Sequence, residues 1–491
     1  RTPAWRHMLI DGGLPRSKQQ TGKNAADFVD WKFFVDYGEC RIDIDDFVAS
    51  HSDLDHYGGL EDLVDPDPEA RRELDCHDVR IGRFGHPGLA RWENRPDAAI
   101  PHRDGLGPVE SSFFTRLLGD REDAEAVVQN NPGDELSRDW KRFVRKVLEN
   151  DNGQDESGDD LKCTVKRLTV RSEAIEAGDE LPVFFDEAGL EVRVLAPVTA
   201  DVNGSAALKD LGEKSINTNG HSVCFRIDYD KARILLTGDL NKASMNWLWS
   251  AYGENERMAE WTCDVTKACH HGSHDISYRF LEKINAAVTV ISSGDNEGYA
   301  HPRPEVVAAS ALTGRKHVNM EDDVLVTPLV YMTEVERSVA VAQVNRLEIS
   351  NLPTTGTKTT YLAKPLDEFT DSEFLTREDH DALDDAPSNQ RRALRKAAVK
   401  RKKPVLEAAA QAQLTNLARV ELASRMPTGV VGVDYPIRSV RGLRFMHRNY
   451  YGLVNVRTDG KTIMCASKRD SGERWTIHAF PAGPLDGGAT D

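Results

Sequence analysis

Short apolar runs alternate with amphipathic stretches over the first 350 residues. Residues 7–10 read as a strand that ends in Asp11-Gly12-Gly13, and 42–49 as a second strand running straight into His51. From Ser137, the residues Trp140, Phe143, Val144, Val147 and Leu148 recur at i, i+3, i+4, i+7 and i+8, which predicts a helix with one buried face. Residues 150–160 (NDNGQDESGDD) are too acidic and glycine-containing for an element and read as a solvated loop. Beyond it, 191–196, 222–227 and 232–237 read as strands, 243–252 as a helix and 286–292 as a strand, with a further helix from about Arg303. Strands interleaved with helices predict a layered α/β domain.

The pattern changes near residue 350. An acidic block, 367–385, is followed at once by the basic residues Arg391, Arg392, Arg395, Lys396, Lys400, Arg401, Lys402 and Lys403. Blocks of opposite sign this close neutralise each other as a charged linker or solvated helix surface, a reading preferred here to a nucleic-acid or partner contact. Pro404 restarts a helical pattern through Leu414, Leu417, Val420 and Leu422. Residues 453–456, a turn at Asp459-Gly460 and 462–464 then carry a β-hairpin signal. The expected division is a main α/β domain over 1–350, a charged linker over 351–404 and a small α+β appendage over 405–491, the last a candidate surface for protein partners or self-association.

The chain has 491 residues and a net charge of −17, which excludes a protein that coats nucleic acid through bulk basic charge. Its longest apolar runs, such as 234–236 and 288–291, are strand-sized and far short of the roughly 20 residues that span a bilayer. No charged segment followed by an apolar one opens the chain. Seven cysteines, an odd number without a repeating framework, fit a reducing compartment, and the expectation is a cytoplasmic protein.

The candidate chemistry is concentrated in four places. His51-Ser52-Asp53-Leu54-Asp55-His56-Tyr57-Gly58-Gly59 follows a strand directly and holds four potential metal ligands within six residues. Such a strand-to-loop exit can converge its side chains on one or two divalent ions; the plainer alternative is a polar turn capped by Asp53 or Asp55. Leu235-Leu236-Thr237-Gly238-Asp239 puts a carboxylate at a strand end. Cys269-His270-His271-Gly272-Ser273 and His301-Pro302-Arg303-Pro304-Glu305 complete the series. Cys263 and Cys269 read as buried thiols rather than a zinc knuckle, and Trp247 and Trp249 as core residues. Asp11 either supports the candidate site from behind its ligands or simply ends its strand.

These motifs, in this order, resemble the metallo-β-lactamase fold superfamily, and most nearly the soluble hydrolase domain of ComEC-type competence proteins. The resemblance covers roughly residues 7–315 and is carried by residues 9–13, 51–59, Asn219 with Ser222, 235–240, 270–273 and 301–305. It implies an αββα sandwich with a two-metal site at one edge of its sheets. His51 and Asp53 would then bind one ion, Asp55 and His56 the other, and Asp239 would bridge them. His301 would be the last ligand histidine, while His271, with His270 beside it, would face the substrate and assist the leaving group.

Two departures matter. The commonest motif of the superfamily has a second histidine where this chain has Asp53, and the extra carboxylate shifts the site from Zn²⁺ toward Mn²⁺. A further ligand histidine is expected between the central motif and Asp239. His77, His86, His102 and His221 are candidates, with His86 in Gly85-His86-Pro87-Gly88 preferred and His221 second. The resemblance thus implies a hydrolase in which paired ions activate a water, oriented by Asp55. The leading expectation is a phosphodiesterase or nuclease. A hydrolase of a small phosphodiester or phosphorylated metabolite, and a non-catalytic interaction subunit of a multiprotein defence or repair system, are the alternatives.

Overall fold

The computed structural model describes residues 5–19, 22–67, 72, 74–93, 103–129, 135–253, 257–293, 301–319, 324–333, 342–349, 359–362, 390, 393–394, 397, 437–445, 452–469 and 475–483. The chain divides into two compact units, Arg1–Thr333 with Gly452–Asp491, and Glu334–Tyr451.

The first unit is α/β, as the interleaved pattern predicts. Four parallel strands form one sheet in the order Met8–Ile10, Arg41–Val48, Asp78–His86 and Thr164–Arg167. A seven-stranded sheet runs Leu329–Met332, Val288–Ile291, Val265–Lys267, Ala232–Leu236, Cys224–Tyr229, Leu190–Ala196 and Val183–Glu187. Its first four strands are parallel and the rest antiparallel. A smaller five-stranded sheet includes Ser205–Lys209 and Val198–Val202.

The buried apolar residues of Arg41–Val48 divide between two cores. Ile42, Ile44 and Phe47 enter a core with the helices Ala25–Trp31, Leu54–Leu63, Arg121–Val128 and Arg138–Leu148. Val48 joins a second core instead, formed by the seven-stranded sheet with the helices Lys242–Tyr252, Tyr278–Ile284 and Pro304–Thr313. The helix expected after Ser137 buries all five of its apolar positions. Asp46 is a charge buried within the same strand, and two guanidiniums satisfy it, Arg6 at 2.7 Å and Arg83 at 2.6 Å. Trp247 and Trp249, expected in the core, are only half-buried. Their helix turns Ser244, Met245, Leu248 and Tyr252 inward, and the Arg279 guanidinium lies 3.8 Å over the Trp249 ring.

The C-terminal hairpin forms with the expected turn, but not within a separate appendage. Strands Gly452–Thr458, Thr462–Arg469 and Trp475–Pro481 make an antiparallel sheet that belongs to the first unit. The parallel strands of the seven-stranded sheet align Ile234, Val265, Val288 and Leu329 in one apolar row. Ile463, Cys465 and Phe480 pack into the same cluster. A row of this kind needs an apolar cover, and among the described residues the cluster's buried members outside the seven-stranded sheet and its flanks come from this hairpin sheet. The Tyr331 hydroxyl donates to the Cys465 carbonyl at 3.1 Å, and Arg315 ties the Gly483 carbonyl to the unit at 2.9 Å.

The second unit contains an antiparallel sheet ordered Thr359–Leu362, Ala342–Ile349 and Ile437–Phe445. The acidic block 367–385, the basic residues from Arg391 to Lys403 and the helical pattern after Pro404 lie outside the described residues. Among the described residues no helix is long and apolar enough to cross a membrane.

Removing side-chain volume under the hairpin should weaken the whole first unit. Ile463, fully buried, should cost about 2–5 kcal/mol on mutation to Ala in urea denaturation. Ile477→Ala, on the same sheet but 56% exposed, should stay within about 0.5 kcal/mol.

Candidate metal centre

The site forms where strand ends from both large sheets meet. The first strand, Met8–Ile10, ends at Asp11, whose backbone takes a left-handed turn (φ 58°). Its neighbour Arg41–Val48 runs out through Ser50 and His51 into the helix Leu54–Leu63. Two glycine pairs lock these exits together. The Gly12 amide donates to the His56 carbonyl at 2.6 Å, and the Gly59 amide to the Gly13 carbonyl at 2.9 Å. The backbones pass so closely that a Cβ on Gly59 would lie 2.0 Å from the Gly12 carbonyl oxygen.

Asp11 then acts on both emerging residues. Its Oδ1 accepts the Ser50 amide at 2.7 Å, and its Oδ2 accepts the Ser50 hydroxyl and His56 Nδ1–H, each at 2.7 Å. With Nδ1 committed, His56 turns Nε2 toward the site. His51 is held in the same sense. Its Nδ1 lies 3.1 Å from the Ser50 hydroxyl and 3.2 Å from the Ser222 hydroxyl. Those hydroxyls donate to Asp11 and to the Asn219 carbonyl, so each accepts from His51. His51 Nε2 is therefore a bare lone pair, buried and without a hydrogen-bond partner.

The opposite wall comes from the seven-stranded sheet. Strand Ala232–Leu236 ends at Thr237-Gly238-Asp239, and the Asp239 amide donates to Ser222 Oγ at 2.9 Å. Gly238 is left-handed (φ 50°), and a Cβ there would meet Ser222 at 2.4 Å. Asp239 does not cap the next helix; Asn241 does, through a capping box with Ser244. Asp53 stands at the N-cap of Leu54–Leu63 without capping it, its carboxylate paired instead with Arg91. Neither carboxylate therefore serves as a helix cap.

His270 and His271 occupy consecutive left-handed positions (φ 45° and 51°), a strained turn that closes at Gly272. His271 Nδ1–H donates to the Ser292 carbonyl at 2.7 Å, which turns its Nε2 inward. His56 Nε2, His271 Nε2 and Asp239 Oδ2 are then mutually 3.1 Å apart. Donors about 2 Å from a tetrahedral cation stand about 3.3 Å from one another. Asp55 Oδ2 is 3.7 Å from His271 Nε2 and 3.9 Å from His56 Nε2. Two overlapping donor groups result: His51, His56 and Asp239, and Asp55, His56 and His271.

Convergent lone pairs and carboxylates call for positive charge, and the proton affinities reflect this. Burial opposes charge on His56, but Asp239 and Asp11 outweigh it and hold the imidazole well above its ordinary range. His271 is raised against burial in the same way, chiefly by Asp239. Burial would lift Asp239, yet His271, His56 and Lys267 hold it well below the carboxylate range, and His56 likewise holds Asp11 down to about 2. Burial and the charge of His56 push His51 down to about 3.

Most of the expected site residues meet here: His51, Asp53, Asp55, His56, Asp239, His270 and His271. His301 lies beside His270, with ring centroids 5.7 Å apart, and belongs to neither donor group. It is His271 Nε2 that stands among the convergent donors, in the place expected of His301. His86 does not reach the site. Its Nε2–H donates to the Gly119 carbonyl at 2.9 Å and its Nδ1 accepts the Gly88 amide at 3.1 Å, so both nitrogens build a turn. The second choice, His221, spends Nε2–H on the Lys209 carbonyl at 2.7 Å. His77 is exposed, and His102 lies outside the described residues.

Two cations escaped the sequence reading: Arg91, on Asp53, and Lys267, whose Nζ lies 3.5 Å from Asp239 Oδ1. Lys267 ends a strand three residues before His270, a signal available in principle. Arg91 follows no motif. Cys263 and Cys269 are buried thiols, and among the described residues neither joins a metal-ligand group. No family model, curated protein or solved structure matches the chain.

Gly59→Ala should cost about 1–3 kcal/mol of stability and lower divalent-ion uptake together, because the methyl group must separate Asp11 from His56; thermal denaturation with metal analysis checks both. His86 and His221 are buried in neutral form, each pushed down to about 4 mainly by desolvation. As pH falls below about 6.5, the unfolded chain takes up protons that the folded one refuses. Stability should therefore drop toward pH 4, by up to about 1.4 kcal/mol per pH unit for each histidine. Urea denaturation at pH 7 and pH 5 measures the fall, which His86→Gln should lessen.

Proposed function

We propose that this chain is a metal-dependent phosphodiesterase or nuclease, with a metallo-β-lactamase-type αββα arrangement of its sheets and helices. The observation that carries the reading is the convergence of three imidazole Nε2 atoms with the Asp239 carboxylate, each imidazole anchored behind through Nδ1. His51, Asp55, His56, Asp239 and His271 would hold divalent metal, Mn²⁺ or Zn²⁺. Bound metal supplies Lewis acidity, which lowers the pKa of water and stabilises negative charge on a phosphoryl oxygen.

The chain's own residues do the rest. Asp55, its side chain 37% exposed at the mouth, orients the attacking water and takes up its proton at Oδ2. His271 faces inward as a ligand with Nδ1–H fixed on the Ser292 carbonyl and keeps no proton for the leaving group, so the proton taken up at Asp55 is the one that passes to the departing oxygen. Arg91 and Lys214 lie close enough to Asp53, and to each other, for their charges to interact, which sets two cations beside the centre for a phosphodiester to meet. All seven cysteines are unpaired, six of them buried, which supports a cytoplasmic setting.

The net charge of −17 favours a second reading at the same site, a small phosphodiester rather than a polynucleotide. Salt separates the two: binding of DNA or RNA should weaken steeply as salt rises, and binding of a small substrate should not. Activity is tested on bis-p-nitrophenyl phosphate, linear and circular DNA, RNA and cyclic nucleotides, with Mn²⁺ and with Zn²⁺. Asp55→Ala should lose at least about a hundredfold in rate on the best substrate. Asp239→Ala should lose both activity and bound metal. Wild-type rates in both variants would show that the site is elsewhere.

A further inference from the structure

The resemblance that suggests a hydrolase also implies two ions, and the residues around this centre fit one. Both donor groups claim His56. Its Nδ1 is held by Asp11, so it has a single nitrogen to offer, and one lone pair serves one ion. The groups are therefore overlapping halves of one centre.

The carboxylates that a second ion would need are already held by side-chain cations. Asp53 is paired with Arg91. Asp239 turns Oδ2 to His56 and His271 but Oδ1 to Lys267, whose ammonium is anchored on the Gly238 carbonyl at 2.8 Å and the Ala268 carbonyl at 3.2 Å. The histidine that would complete a second ligand set does not reach the site, since His86 and His221 are bound to backbone. Of that set only His51 Nε2 is left without a cation or hydrogen-bond partner.

We propose that the centre takes one divalent ion, on His56, Asp239 and His271 with Asp55 and His51 at its flanks, and that Arg91 provides fixed positive charge where a second ion would sit. The proposal rests on the metal-centre reading above and goes beyond it in the ion count and in the role of Arg91. A guanidinium suits that role. It keeps its charge at every working pH and presents several donors in one plane, so it can hold Asp53 while another N–H meets a phosphoryl oxygen. The Arg91 side chain is 34% exposed, so a ligand can reach its guanidinium from solvent. A second divalent ion would first have to displace the guanidinium from its carboxylate.

Ion count is the direct test, and it does not depend on finding the substrate. The full chain is stripped with chelator, titrated with Mn²⁺, and examined by metal analysis after gel filtration and by electron paramagnetic resonance. Wild type should bind one ion per chain with the hyperfine pattern of an isolated Mn²⁺. Arg91→Ala combined with Lys267→Ala, shown folded by circular dichroism, should release Asp53 and Asp239 Oδ1 together and raise the count to two with a spin-coupled signal, whereas Arg91→Lys should keep it at one. Two ions on wild type, or one on the double variant, would overturn the inference while leaving the metal centre standing. No ion on wild type would instead remove the metal-centre reading itself.

Discussion

The Asp11 carboxylate is the contact on which the site depends. It lies at the end of a three-residue strand and accepts three hydrogen bonds, from the Ser50 amide, the Ser50 hydroxyl and His56 Nδ1–H. One side chain thereby sets the tautomer of His56 directly and, through the Ser50 hydroxyl, helps set that of His51. Without it His56 would have no reason to keep its lone pair pointing inward, where other lone pairs and carboxylates repel it, and His51 would be held by Ser222 alone. Burial of this carboxylate is tolerable because every bond it accepts favours its charged form.

Around that contact the backbone leaves little freedom. Gly12 and Gly59 cross at a separation no side chain could enter, and Gly238 packs against Ser222 on the facing wall. Ser222 links the two walls, because its hydroxyl meets both the Asp239 amide and His51 Nδ1. The candidate centre is thus a joint between strand ends of two sheets, fixed by backbone contact and only then lined with side chains that could hold a metal. The strained His270-His271 turn brings two further rings to the same walls, within 4.0 Å and 3.1 Å of Asp239 Oδ2.

Charge is distributed less simply than a total of −17 suggests. Asp53, Asp239 and Asp46 each sit against guanidinium or ammonium groups, so part of the acidity is cancelled within the fold. Beside the candidate centre Arg91 and Lys214 both act on Asp53, so that carboxylate too is balanced locally. Local potential at a partly enclosed site is governed by such near neighbours, since solvent ions screen distant surface charge within about 8 Å at physiological salt.

Much of this was legible along the chain. Alternating and helical periodicities are local properties, and they place the strands around 42–49 and 232–237, the helix after Ser137 and the terminal hairpin. The dense ligand motif after a strand, the Gly-Asp strand end and the His-His turn are likewise local, so seven of the expected residues meet. Partnership is not local. Whether His86 was a ligand or a turn-builder depended on the Gly119 carbonyl, 33 residues away; whether His271 or His301 faced the donors depended on the Ser292 carbonyl. Arg91 has no motif at all, because it acts only through the fold's decision to set it beside Asp53. The hairpin's address was equally hidden: its strands can be read from their alternation, but the apolar row they cover exists only once four distant strands lie in register. The sequence by itself determined which elements form and which side chains could do chemistry, since backbone propensity and side-chain type are written residue by residue. The tertiary structure alone decided which nitrogens were left free, because a hydrogen bond or ion pair across space removes a ligand as surely as a mutation would.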